Sequence, residues 1–310
     1  MMRPMATSIH ASDVGDAWLQ AAQALAQAPR RTLVNLAVSI SDPLHEDLGI
    51  RRELEASLTR LATGKGGAKA PTLHSVHTVA NTIFPISMYN PKHPDAAGKF
   101  FERARRVGSL HDGRRNEWGT YFGRLVSYPL PDGSEVNQLE RFLAVLAEGK
   151  TWSDRYEAPL TIPGESTELT VPTDARPVTT ADALVIGPQD RRVRGNPCLA
   201  HLSFTVLDGA IHLTALYRRH HYIARAYGNF LGLARLLNFL ARESGREVGG
   251  MMIVGTHADL EMGTVAATRD LLARAARAQG DVHTIEVSTR RLGASWSDLE
   301  LPVPTRVPAS

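Results

Sequence analysis

The chain has 310 residues, of which 43% are hydrophobic and 22% are charged, and its formal net charge is +3. This composition excludes disordered and fibrous classes and provides enough apolar side chains for one large domain or two small ones. The small net charge does not indicate a nucleic-acid-binding protein, whereas the excess of Arg over Lys fits a small anionic ligand, because a guanidinium binds phosphate or carboxylate in a planar fork.

The N-terminal third alternates amphipathic segments with loops. Residues 13–28 and 50–62 space their apolar side chains as helices do, whereas residues 32–40 alternate and are rich in β-branched side chains, which predicts a strand. The apolar segment 72–90 is interpreted as a helix that enters a proline turn, and a further helix is predicted near 95–107.

The middle of the chain is less regular. A Gly-bounded loop leads to a helix predicted over 134–148, and residues 151–180 are expected to form a long surface connection. The Gly/Lys stretch 63–71 lacks the Gly-Lys-Ser/Thr ending of a phosphate-binding loop, so it does not indicate a nucleotide-binding P-loop.

The last third has the clearest pattern, and its turns are well marked. It predicts a hairpin over 198–219, a helix over 229–245, a strand over 249–257, a helix over 265–279 and a strand over 282–289. Asp208-Gly209 in the middle of the hairpin is a strong turn signal. Long antiparallel pieces mixed with helices favour an α+β fold over a doubly wound sheet.

Cys198 is the only cysteine, so the chain cannot form an intrachain disulfide. We therefore expect a reducing, cytoplasmic location. The N-terminus has no apolar core of signal-peptide length, and no run is long enough to span a membrane, so we expect neither secretion nor a membrane partner.

The surroundings of this cysteine carry a resemblance. Cys198 follows Pro197, Arg218 lies twenty residues later, Asn229 lies thirty-one residues after the cysteine, and Gly255-Thr256-His257 comes further on. The segment resembles the catalytic half of thymidylate synthases, which have a Pro-Cys-His cysteine, a Tyr-Gln-Arg-Ser arginine, an asparagine at the head of a buried helix and a Gly-Asp-Thr-His motif.

A second block, from Gly119 to Gln138, is similar to the family's Gly-Pro-Val-Tyr-Gly motif and the Pro-Asp-Gly that follows it. The resemblance covers roughly residues 72–260 of the chain. It implies a single domain over 1–310: a thymidylate synthase-like mixed sheet flanked by helices and dimerising through the sheet. Residues 1–70 would be its divergent N-terminal part.

The resemblance also implies a chemistry. Cys198 would add as a thiolate to C6 of a pyrimidine nucleotide and so make C5 nucleophilic. Arg218 would hold the phosphate and favour the thiolate, and His257 would contact the sugar. The amide of Asn229 can match the O4/N3–H edge of uracil, and relatives that act on cytosine tend to have an acidic residue there. The implied one-carbon donor is 5,10-methylenetetrahydrofolate.

Two groups that move protons in the family are missing. No Glu occurs from 56 to 101, where the catalytic glutamate should fall, and Asn81 or Thr82 takes its place. The family's tyrosine aligns with Phe122, which cannot exchange a proton. Tyr121 or Tyr128 would substitute only in a different strand register.

The folate side departs further. The pterin-binding aspartate aligns with His221 and a loop glycine with Arg225, and Leu199 replaces the histidine after Pro-Cys. Of the double arginine that reaches phosphate from a partner subunit, Arg176 lies at the right distance but is single. Arg191-Arg192 lies too near Cys198. Arg219, Tyr121, Asn81 and His221 remain further candidates.

Ordinary structural roles compete with these assignments. Cys198 alone fits a small buried hydrophobe, Arg218 and Arg219 fit solvated strand-end charges, Asn229 fits a helix N-cap, and His257 fits a structural histidine. His74, His77 and His220-His221 have no companion cysteine or carboxylate cluster in the sequence, so we expect no metal.

Two classes of function follow. The first is a homodimeric enzyme that transfers a methyl or hydroxymethyl group to C5 of a pyrimidine nucleotide, uracil preferred, in a specialised pathway such as natural-product or modified-nucleotide synthesis. The alternative is a folate-independent protein of the same fold, either a nucleotide-binding or regulatory protein without turnover or an enzyme of different C5/C6 chemistry.

Overall fold

The computed structural model describes residues 6–63, 73–110, 120–130, 134–150, 156–160 and 197–285. Its strands are β1 (Thr7–Ala11), β2 (Thr32–Ile40), β3 (His45–Asp47), β4 (Tyr128–Pro129), β5 (Glu135–Val136), β6 (Glu157–Pro159), β7 (Leu199–Leu207), β8 (Ala210–Tyr217), β9 (His220–His221), β10 (Glu247–Asp259) and β11 (Val282–Thr284). Its α-helices are α1 (Val14–Gln27), α2 (Leu48–Thr63), α3 (Val76–Asn81), α4 (Ala96–Leu110), α5 (Tyr121–Val126), α6 (Gln138–Ala147), α7 (Tyr227–Ser244) and α8 (Val265–Ala278).

A mixed sheet of seven strands organises the described residues. Six of its strands follow the order β1-β2-β10-β8-β7-β6, and β9 pairs with the end of β10. β1 runs parallel to β2, and β10 runs parallel to β8 and β9, whereas the remaining pairs are antiparallel. The predicted α+β class is thus confirmed. β3 pairs with β11, and β4 with β5, outside this sheet.

Strong periodicity and turn chemistry predicted most elements correctly. β2 covers 32–40 as expected. The observed ends of α1, α2, α4 and α8 differ from the predicted ends by at most three residues. The hairpin turns at Asp208 and Gly209, whose φ angles are 50° and 83°. Both residues have a left-handed backbone conformation, as the twist of a two-residue hairpin requires.

Other predictions need correction. β1 was not predicted, because Thr-Ser-Ile-His-Ala is short and polar, as an edge strand can be. β10 is longer than the predicted 249–257, because a bulge at Gly249-Gly250 lets the strand continue. The segment 72–90 holds only the short helix α3, and Tyr121 begins a helix where a strand was considered.

The helix α7 is the central element of the core. Its side chains are apolar around nearly the whole circumference, and Gly245 ends it in the left-handed conformation with φ 65°. Gly228 and Gly232 let α3 approach closely, since a Cβ at Gly228 would lie 2.5 Å from Cβ of Val79. A five-residue π-turn, Tyr222–Ala226, precedes α7.

The sheet buries one face against the helices and leaves the other open within the described part of the chain. Alternate residues of β2, β7, β8 and β10 are buried, and their neighbours point to the opposite face. The open face carries Val34 and Leu207, each 59% exposed, and Leu216, which is 38% exposed. No described helix is both long and apolar enough to cross a lipid bilayer.

Candidate active site

Cys198 lies just before β7, at the open end of the hairpin, and is half-buried. The backbone N–H of Arg218, which follows β8, donates to the carbonyl of Cys198 at 2.9 Å. The Nε of Arg218 also donates to the carbonyl of Pro197 at 2.9 Å. The twenty-residue spacing therefore has a simple cause: a hairpin with a two-residue turn brings its two ends together.

Burial raises the pKa of the Cys198 thiol, because a thiolate loses solvation there. The guanidinium groups of Arg218, Arg219 and Arg225 oppose this effect, and the carboxylate of Asp259 adds to it. The thiol is therefore protonated at rest but surrounded by the positive charges that stabilise a thiolate. The catalytic role of Cys198 stays a prediction.

Tyr121, at the start of α5, lies beside this cysteine. Burial raises the pKa of its hydroxyl to about 12, and hydrogen bonds from the main chain of Leu199 and Cys198 oppose this rise. Phe122 turns into the core instead, where its ring centroid lies 4.9 Å from that of Phe100. Tyr121 needs no altered strand register, because consecutive residues of a helix point in different directions.

A second cluster forms around Asp259, the last residue of β10. Its carboxylate accepts from Arg219 Nη2 at 2.9 Å and pairs with His221 Nδ1 at 2.7 Å and His257 Nε2 at 3.2 Å. Burial opposes ionisation of Asp259, yet hydrogen bonds from His221 and Arg219 hold the pKa of the carboxyl below its usual range.

Asp259 was missed in the sequence. Its only signal was a carboxylate at the end of a buried strand, two residues after His257, where an ionised group requires partners. The pairing of β9 with β10 supplies one of these partners, because Asp259 lies opposite His221. His257 and Arg219, proposed separately from sequence, meet at this carboxylate.

Glu261 adds a further carboxylate. It accepts from the backbone N–H of Ile223 at 3.2 Å and of Ala224 at 2.7 Å, which anchors the π-turn. Burial raises the pKa of Glu261. Potential ligand atoms of His221, Asp259 and Glu261 lie within 4.8 Å of one another. Arg219 already supplies the charge that balances Asp259, so we interpret the cluster as an ion-pair network. The expectation of no metal stays a prediction.

Asn229 lies inside α7, and its side chain is buried. Its Nδ2 lies 3.2 Å from Nε2 of His220. Burial lowers the pKa of His220 to about 3. The ring is therefore neutral, and its Nε2 can accept from the amide nitrogen of Asn229. The helix N-cap alternative for Asn229 is wrong, because α7 begins two residues earlier, at Tyr227.

The remaining candidates are less informative. Asn81 accepts from the backbone N–H of Ile86 at 3.4 Å, so its side chain stabilises the proline turn. Its catalytic role stays a prediction. Arg176 and the Arg191-Arg192 pair lie outside the described residues. The Gly/Lys stretch after Thr63 and most of the 151–180 connection also lie outside them.

Comparison with known proteins gives a partial match. No protein-family model matches the chain. Curated archaeal proteins that carry the name "Putative thymidylate synthase" do match. The protein of Methanosarcina barkeri is 33% identical over 75 residues, which is 24% of this chain and 35% of that protein. The protein of Methanosarcina acetivorans is 36% identical over 73 residues, 24% of this chain and 34% of the relative.

The protein of Methanothermobacter thermautotrophicus is 36% identical over 66 residues, which is 21% of this chain and 30% of the relative. The chain thus matches these curated relatives over about a third of their length. These matches confirm the resemblance predicted from the sequence: over about a quarter of its length the chain is similar to proteins that carry the name putative thymidylate synthase.

Proposed function

We propose that this chain activates C5 of a pyrimidine nucleotide through Cys198 and then transfers a one-carbon unit to that carbon. The observation that carries the proposal is that three guanidinium groups, those of Arg218, Arg219 and Arg225, each lower the pKa of one half-buried thiol against the larger effect of burial. Such a site attracts an anionic substrate and stabilises a thiolate in its presence.

The chemistry requires this combination. C5 of a pyrimidine is a weak nucleophile, and addition of the Cys198 thiolate to C6 converts the ring into an enolate whose nucleophilic carbon is C5. We assign the phosphate of the nucleotide to Arg218, which has the spacing of the family's arginine and whose Nε is held beside Cys198 by the carbonyl of Pro197. His257, which also pairs with Asp259, contacts the sugar.

The base is recognised by Asn229. Asn229 Nδ2 lies against Nε2 of neutral His220, so Asn229 Oδ1 is left to accept from a base. Uracil presents a donor at N3–H, whereas cytosine presents an acceptor there. This arrangement supports the preference for a uracil nucleotide.

The one-carbon donor of the proposal is 5,10-methylenetetrahydrofolate, and the product carries a methyl or hydroxymethyl group. Arg225, which stands where the family has a glycine, is half-buried and makes no ion pair with another described residue. We assign it to the donor side of the site, where its charge suits the carboxylates of a folate. A hydroxymethyl product suits this altered donor side, because water then replaces hydride.

The open sheet face supports a homodimer. Val34, Leu207 and Leu216 expose apolar area there, and within the described part of the chain no helix covers them. A second copy of the same face would bury these side chains through an isologous contact. The Arg176 assignment belongs to this proposal, because that arginine would reach the phosphate of the partner subunit.

The test is release of tritium from 5-tritiated dUMP, UMP, dCMP and CMP, each with and without methylenetetrahydrofolate. We expect release from a uracil nucleotide, and none from the Cys198→Ala variant. Dependence on the folate separates one-carbon transfer from other C5/C6 chemistry. A folded protein that releases tritium from none of the four nucleotides contradicts the proposal.

One observation favours a second candidate, a nucleotide-binding protein without turnover. Burial has the largest effect on the Cys198 thiol and raises its pKa, which disfavours the nucleophile at rest. Equilibrium binding of dUMP or UMP that needs Arg218 but not Cys198, together with no tritium release, would support this candidate.

A further inference from the structure

We propose that His221, oriented by Asp259, is the general acid–base residue of this site. The inference rests on the proposed function, since it names the group that exchanges the C5 proton. The family resemblance does not predict it, because the aligned position holds an aspartate that binds folate.

The first argument is the geometry of the pair. His221 Nδ1 lies 2.7 Å from Asp259 Oδ1, and the two residues are direct partners in the pairing of β9 with β10. The carboxylate fixes the tautomer, because an Nδ1–H that donates to Asp259 leaves Nε2 as the acceptor. A histidine held in this way presents one basic nitrogen in a fixed direction.

The second argument is position. The backbone N–H of Arg218 donates a hydrogen bond to the carbonyl of Cys198 at 2.9 Å. The side chain of Arg219 donates to Asp259 at 2.9 Å, and Asp259 is hydrogen-bonded to His221. These hydrogen bonds connect the backbone of Cys198, through the adjacent residues Arg218 and Arg219, to the cluster that holds His221. The carboxylate of Asp259 also acts on the thiol itself, because it raises the pKa of Cys198. The side chain of His221 is 29% exposed, so a ligand can reach its ring.

The third argument is that the other described groups of this cluster are less suited to exchange the C5 proton. His257 also pairs with Asp259, but at 3.2 Å against 2.7 Å for His221, and it is assigned to the sugar. Each carboxylate oxygen of Glu261 accepts from a backbone N–H.

Burial raises the pKa of Tyr121 to about 12, so its hydroxyl keeps its proton near neutrality. Burial lowers the pKa of His220 to about 3, and its Nε2 is used by Asn229. Asn81 cannot exchange protons. Imidazole is the side chain whose ordinary pKa suits proton transfer at neutral pH.

Other charged groups set the environment of this histidine. The groups that face His221 are Asp259, Glu261 and His220 and, through Asp259, Arg219 and His257. Two carboxylates thus lie close to the ring.

The step can be written for the adduct in which Cys198 is bonded to C6 and C5 carries both its hydrogen and the new substituent. The C5–H bond breaks, its proton passes to Nε2 of His221, and its electron pair remains on the ring as the enolate. The enolate expels the nitrogen of the one-carbon donor, which takes a proton from water, and the hydroxide from that water adds to the remaining exocyclic methylene carbon. The enolate formed by this addition makes the C5–C6 double bond as the C6–S bond breaks, and Cys198 leaves as the thiolate. His221 finally releases the proton to water.

The test compares wild type, His221→Gln and His221→Ala in tritium release from the uracil nucleotide that wild type accepts. Iodoacetamide alkylation of Cys198 and nucleotide binding are measured in parallel. We expect a loss of release of about 10²- to 10⁴-fold, with alkylation and binding changed by less than a few-fold. Added imidazole should restore part of the release in His221→Ala, which a purely structural role would not allow.

The matched control is His283→Gln. His283 Nε2 forms the same kind of pair with Asp281 Oδ1 at 2.7 Å, on a strand outside the large sheet. The His283→Gln variant should leave tritium release unchanged. Release that is unchanged in His221→Gln, with the same pH profile as wild type, overturns the inference alone. Release that is absent from folded wild type overturns the proposed function itself.

Discussion

The side-chain amide of Asn229 donates to Nε2 of His220 at 3.2 Å, and both side chains are buried. The His220 ring also stacks on Tyr217, with ring centroids 4.1 Å apart and planes 4° from parallel. The amide of the proposed base-reading residue is therefore held by a histidine that must stay neutral. Protonation of His220 would therefore both remove the acceptor that orients Asn229 and destabilise the fold.

Stability should fall in acid because of His220. Burial lowers its pKa from 6.5 to about 3, so between these values the unfolded chain binds the proton and the folded chain does not. The contribution of the neutral ring is complete above pH 6.5 and is lost as pH falls towards 3. Urea unfolding at pH 7 and pH 4.5 should give a free-energy difference of about 2 kcal/mol or more.

His220→Phe keeps a ring against Tyr217 but removes the titrating group. Its stability should change less between the two pH values than that of wild type, and its KM for the nucleotide should rise, because the amide of Asn229 loses its acceptor. An equal pH dependence in the variant and wild type would contradict this role for His220.

Tyr121→Phe should lower tritium release by about tenfold or more, because a hydroxyl beside the reacting thiol can orient water or the base carbonyl. The rate at which iodoacetamide alkylates Cys198 should stay close to that of wild type. Tyr128→Phe removes a hydroxyl on the nearby strand β4 and serves as the control. If both variants release tritium at the wild-type rate, Tyr121 has no part in the reaction.

Arg225→Gln should make Cys198 less reactive. The charge of Arg225 lowers the pKa of the thiol against the larger effect of burial, so its removal raises that pKa. The rate of iodoacetamide alkylation at pH 7.5 should fall several-fold, and its midpoint should move to higher pH. Arg277→Gln, on α8, is the matched control, and an unchanged midpoint in Arg225→Gln would refute the prediction.

Leu216→Lys should dissociate the proposed homodimer, because a lysine on the open sheet face would lose its hydration in the interface. Sedimentation velocity should show a dimer for wild type and a monomer for the variant. Val265→Lys changes a valine that is 61% exposed at the start of α8 and should leave the dimer intact. A wild-type monomer at micromolar concentration would be evidence against pairing through this face.

The local parts of the site could be predicted from the sequence. Asp208-Gly209 specifies the hairpin turn, and alternation on both sides specifies the register. Together they bring Cys198 and Arg218 to the same end. The apolar run before Gly245 likewise predicts α7, which carries Asn229. These features depend on neighbouring residues in the chain, so local patterns are sufficient to predict them.

The remaining parts depend on contacts between distant segments, and only the tertiary structure decided them. β10 lies between β2 and β8, and its far end meets β9, which sets Asp259 against His221. The short helix α5 turns Tyr121 towards Cys198 and Phe122 into the core. Local sequence determined the strands and helices and the spacing of the nucleophile, whereas packing across the sheet determined which charged groups surround it, because no periodicity encodes which strand ends become neighbours.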